Sequence, residues 1–128
     1  MININIALFI LRLVLGIIFL VHGLSKRKMW KMEPSETMPG SMLRIMRFLS
    51  ITETLGGLAL ILGFMTSFAA LGICFIMIGA LYLKITKWHI PFTTNTQTGW
   101  EFDLINLAAA LILVLLGGGG IALDFIFN

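Results

Sequence analysis

Four apolar runs separated by short polar segments organise this chain. The first, residues 4–24, is long enough at about 1.5 Å per residue to cross a bilayer, and only Arg12 interrupts it. It runs out through His22 into the basic Lys26-Arg27-Lys28, after which Trp30 and Lys31 mark an interface and Pro34 and Pro39 exclude regular helix. A helix restarts near Met42, with Arg44 and Arg47 on one face and free to snorkel to head groups, while Leu43, Ile45 and Met46 point inward. Between Phe48 and Lys84 the only charge is Glu53. As one helix that stretch would be about 55 Å long against a hydrocarbon core of ~30 Å, so it must turn. Gly63 is suited to end one helix and Ser67 to cap the next, which makes residues 44–63 and 67–84 a hairpin of two spans.

The rest follows the same grammar. Ala69, Gly72, Gly79 and Ala80 form a small-residue stripe along the third run, and with Gly56 and Gly63 it is expected to lie at helix contacts. Thr98-Gly99-Trp100-Glu101 fits a capping box opening a fourth span over residues 100–116. Gly117 to Gly120 ends it, and residues 121–128 are too short to cross again, so they read as a tail in the interface. The expectation is one transmembrane domain, an all-α integral membrane four-helix bundle of left-handed twist.

Composition sharpens this. Of 128 residues, 59% are apolar and 12% charged, far from the ~25% charged residues of soluble domains. Eight of the nine Lys and Arg residues flank the first and third loops and none lies at the Gly63 turn, so the positive-inside rule puts both loops in the cytoplasm and both termini outside. The location expected is the cell membrane, crossed several times. The basic segments between apolar runs suit anionic head groups of the bilayer, with no nucleic acid as partner. The N-terminal run is too long for a cleavable signal and lacks a basic leader and an A-x-A-like site. Cys74, the single cysteine, excludes an internal dithiol relay and reads as a small buried hydrophobe.

Glu53 is the residue these patterns leave unexplained. A carboxylate inside an apolar span costs at least ~2.5 kcal/mol unless protonated or paired, and Arg12 and Glu101 are the other ionisable groups weighed as its partner. With Arg12 inside span one, His22-Gly23-x-x-Lys26, Glu53 followed by Gly56-Gly57, Gly99-Trp100-Glu101 and the Gly-rich stretch leading to Ala122-Leu123-Asp124, the chain resembles the DoxX family of small four-span membrane proteins. The family takes its name from association with a thiosulfate:quinone oxidoreductase, so the resemblance implies a four-helix fold and a link to redox partners.

Two readings of Arg12 and Glu53 stay open. They form a buried ion pair that orders the bundle, or they flank a pocket in which Arg12 holds a quinone carbonyl or lipid phosphate and Glu53 exchanges protons. Counted from the basic loop, Arg12 lies about 18 Å deep and Glu53 about 9 Å, an offset that leaves room for a ligand. His22 and Lys26 read as interfacial anchors, or His22 as a proton relay. Glu101 is read as a capping group that could also reach the pocket, and Asp103 and Asn106 as bonding between helices. His22, His89, Glu101 and Asp103 lie toward one membrane side without metal-ligand spacing, so neither metal nor haem is expected. The ligand-binding candidates are Arg12, His22, Glu53 and Glu101, with no catalytic residue. Three functions compete: a membrane subunit or scaffold of a larger assembly, favoured because the chain has no cofactor motif; a quinone-linked oxidoreductase subunit; and a lipid or small-molecule carrier. A membrane or soluble redox protein is the partner expected, and a homo-oligomer is left open.

Overall fold

The computed structural model describes residues 2–127; Met1 and Asn128, the last residue of the expected tail, lie outside the described residues. The chain is all-helical: α1 (Ile2–Ser25) continues into a 3-10 turn (Lys26–Trp30), and α2 (Gly40–Leu62) turns sharply into α3 (Thr66–Tyr82). A single π turn (Leu83–Lys87) extends α3, α4 (Trp100–Leu116) follows the third loop, and α5 (Asp124–Phe127) is one turn. Residues 3–30, 40–62 and 66–87 form helices long and apolar enough to cross a membrane, and α4 adds 17 residues rising about 25 Å.

The molecule is apolar on the outside. Leu115, Phe68 and Phe75 are more than two-thirds exposed, whereas the buried core is narrow and centred on Leu15, Phe19, Leu60, Ile73 and Leu113. Such an outer band suits lipid rather than water. α1 packs chiefly on α2 and α3 on α4, with α2 and α3 joining the two pairs. Glycine sets the first contact: a Cβ on Gly57 would sit 2.7 Å from the Gly16 carbonyl oxygen and 2.6 Å from the Leu20 amide, so the backbones of α1 and α2 touch. The expected stripe on α3 is different. A Cβ on Gly72 or Gly79 would meet nothing within 4 Å, because α3 turns Ala70, Ile73, Cys74 and Met77 inward and leaves the glycines on the opposite face. Gly56 meets only ordinary contacts with Ile73, while Gly63 is wedged against Ala122.

The turn between α2 and α3 begins as expected and is capped unexpectedly. Gly63 is left-handed (φ 70°), with its amide donating to the Leu60 carbonyl and that of Phe64 to Ala59, which closes α2 in a Schellman motif. Ser67, expected to cap α3, lies inside the helix with its hydroxyl 3.5 Å from the Leu113 carbonyl. The cap comes from the far end of the chain: the Asp124 carboxylate accepts from the amides of Met65 (2.6 Å) and Thr66 (2.8 Å). The tail docks on this end of the bundle. Leu123 and Asp124 donate to the carbonyls of Leu62 and Gly63, and the Gly120 amide donates to Asn5 Oδ1.

Candidate functional site

Arg12 belongs to this docked end. Its side chain is 1% exposed, and its guanidinium donates to the carbonyls of Leu60 (3.0 Å), Ile61 (2.7 Å) and Ile121, with the Phe9 ring 5.0 Å away. These are the carbonyls that the end of α2 and the tail leave without a helical donor, and a fixed cationic fork satisfies them at once. Arg12 therefore neither pairs with Glu53 nor shares a pocket with it. The apolar pattern gives depth along a helix but not which neighbour a side chain meets.

Glu53 is bound at the opposite, basic end. Its carboxylate, 3% exposed, accepts from Lys26 Nζ. The alignment comes from the α1–α2 contact: Ser50 Oγ donates to the Gly23 carbonyl at 2.9 Å, and a Cβ on Gly23 would stand 2.6 Å from the Thr54 amide. Gly23 and Ser50 thus lock the helices one turn from Lys26 and from Glu53, and the lysine stem closes the remaining gap.

The second helix pair repeats the device. Lys84 Nζ lies 2.6 Å from the buried Asp103 carboxylate and 3.4 Å from Thr98 Oγ1. Lys84 sits in the π turn, where the Trp88 amide reaches back to the Leu83 carbonyl; the wider turn redirects the lysine toward α4. Asp103 is thus engaged between elements as expected, though with a lysine, whereas Asn106 bonds within its own helix, to the Phe102 carbonyl at 2.8 Å.

Both ion pairs face one cavity of about 460 Å³, to which all four long helices contribute. His22 also lines it, its ring stacked on Phe102 (centroids 5.4 Å apart, planes 18° apart). The remaining wall is apolar and aromatic, from Phe19, Met46, Ile76 and Trp88 among others. The volume and the few convergent polar groups are those of a small-molecule site.

Of the expected site residues, the fold thus brings His22 and Glu53 together. Arg12 goes to the far end, and Glu101 points outward, exposed. The capping box fails because Gly99 caps α4 without any side-chain bond, and the Trp100 and Glu101 amides are taken by the Pro91 and Phe92 carbonyls of the folded third loop. With those donors satisfied, the Glu101 carboxylate has no cap to make. His89 is exposed at the end of the π turn, apart from His22. Lys26, Lys84 and Asp103 join the candidate site, although the sequence pattern marks Lys26 only as an anchor and Asp103 only as a bond between helices. Their signal is a repeat: an acid in each even-numbered long helix, Glu53 and Asp103, with a lysine just past the end of the preceding helix.

This architecture can be set against known proteins. The sequence model of the DoxX family matches residues 7–88, well over half of the chain. The chain belongs to the DoxX family. A DoxX-type relative from Bacillus subtilis (strain 168), named "Putative oxidoreductase CatD", is 33% identical over 129 residues, covering 97% of this chain and 90% of that protein. No solved structure matches. The segment matched to DoxX carries Arg12, His22, Lys26, Glu53 and Lys84, so both partners of the first cavity ion pair and the lysine of the second fall inside it. The protein is a DoxX-family membrane protein whose polar groups divide between a capped end and a cavity end.

Proposed function

We propose that this DoxX-family protein is the membrane subunit of a quinone-linked oxidoreductase, with the cavity at the basic end as its quinone site. The observation that carries the reading is the Lys26–Glu53 and Lys84–Asp103 pairs opening on one apolar, aromatic-walled space large enough for a quinone ring. A quinone is an acceptor-only head that takes up two electrons and two protons. Lys26 and Lys84 have spare N–H donors for its oxygens, since each ammonium carries three. Glu53, Asp103 and His22 can hold and pass protons at the same wall. With one cysteine and no second thiol, the chain has no dithiol to supply electrons, so a redox partner delivers them; the name of the Bacillus subtilis relative is in keeping with this role.

The proposal includes a topology. Both basic loops lie at the cavity end, and eight cations flanking them favour the cytoplasmic side, with several membrane crossings and both termini outside. Single cysteines at Ser35 and Thr94 in a Cys74→Ala background are then protected from an impermeant thiol reagent in intact cells, and labelling without lysis would overturn the orientation. The function is tested by extracting what remains bound after purification in mild detergent. Quinone retained by the wild-type protein and depleted by a Lys84→Met, Asp103→Asn double change is the expected result. Equal retention by both, or a retained phospholipid in place of quinone, would favour the scaffold or carrier reading.

A further inference from the structure

The cavity is not walled off from the bilayer. Gly79 lies in its lining and a Cβ there would meet nothing within 4 Å, while Phe48 and Phe75, also in the lining, are 64% and 69% exposed. The gap lies between the first half of α2 and the second half of α3. On its outer side runs a second depression of about 400 Å³, almost wholly apolar, whose wall includes Gly56 and Gly72 and which shares Phe48, Phe75 and Ile76 with the cavity. Gly72 leaves this groove open for the same reason that it makes no helix contact.

We infer that the ligand enters sideways from the lipid through the α2–α3 gap, and that the groove past Gly56 and Gly72 seats its hydrocarbon tail while the polar head occupies the ion-paired cavity. The occupant is an amphiphile with one long chain; this rests on the proposed quinone site for the head and adds the tail. Continuity carries it: the charged groups are all in the cavity, the groove is apolar but for Thr52, and the two meet at three shared side chains. A ligand arriving from water would not need the second part. Inside a bilayer the groove offers no hydrophobic gain over lipid, so its contribution is orientation and close packing, which a bulky side chain would abolish.

The test uses the full chain in nanodiscs, with Trp30→Phe and Trp100→Phe in every protein compared, so that quenching of tryptophan fluorescence reports the cavity through Trp88. Wild type and Gly72→Leu are titrated with a long-chain isoprenoid quinone and with the same ring lacking its chain. Leucine at Gly72 has space to fold, since nothing lies within 4 Å. The expected result is a loss of roughly tenfold or more in affinity for the long-chain quinone in Gly72→Leu, with the chainless ring bound equally by both proteins. Equal binding of the long-chain quinone would overturn the groove and leave the quinone site standing. If neither quinone binds wild type, the proposed function fails, and native mass spectrometry decides the groove: lipid retained by wild type and lost from Gly72→Leu supports it, equal retention overturns it.

Discussion

Arg12 and Glu53 show how two buried charges in one small bundle serve separate ends. Arg12 holds three carbonyls where α2 and the tail finish, and Glu53 holds Lys26 at the cavity. Removing Arg12 strands the Ile61 and Ile121 carbonyls, while Leu60 keeps the Gly63 amide, and each unmet buried polar group costs about 1–3 kcal/mol. Arg12→Met is therefore expected to lower stability by roughly 3 kcal/mol or more, and Glu53→Gln gives no rescue. A double-mutant cycle in detergent checks this. Coupling within ~0.5 kcal/mol for Arg12 with Glu53, and clearly larger for Lys26 with Glu53, is the predicted pattern; strong coupling of the first pair would restore a direct bridge. Asp124 adds a pH dependence at the Arg12 end. Burial alone would raise its pKa, but the Thr66 hydroxyl and amide, the Met65 amide and the Arg12 charge outweigh it and hold the group below its ordinary 3.8. A carboxylate depressed on folding stabilises above its unfolded pKa and loses that contribution as pH falls through the folded one. Tail docking should be intact at neutral pH and weaken below about 3.8, with faster amide exchange at Thr66 and Leu123. Asp124→Asn should remove the pH step, and a step that survives it would assign the effect elsewhere.

At the scale of elements, the helices were readable because lipid selects long apolar runs with breakers between them, and residues 100–116 were placed from pattern alone. Partners were not readable, for physical reasons. Lipid and helix interface are both apolar, so a small residue gives no sign of which it faces: Gly16 and Gly57 make backbone contact, whereas Gly72 and Gly79 face outward. Caps also came from a distance. Asp124 caps α3 across 58 residues and the third loop serves α4, neither of which local capping rules can see. The distinction can be measured by alanine substitution. Gly57→Ala should destabilise the bundle by about 1–3 kcal/mol through backbone overlap, whereas Gly72→Ala should be neutral or stabilise it by up to ~1 kcal/mol through helix propensity. Equal melting temperatures for the two variants would mean that α1 and α2 are not packed as described.

For the whole molecule, two helix pairs each contribute a lysine and an acid to one cavity, and a docked tail closes the other end. The central claim is that the cavity end binds a quinone and the docked end is structural. Quinone titration in nanodiscs, read by tryptophan quenching, tests it most directly on wild type, on Lys26→Met with Glu53→Gln, and on Asp124→Asn. The paired change removes both charges together, so no buried ion is left without its counter-ion. Saturable quenching in wild type, affinity about tenfold or more weaker in the paired cavity variant and unchanged in Asp124→Asn is the predicted result. No saturable quenching in wild type, or a loss confined to Asp124→Asn, would contradict it.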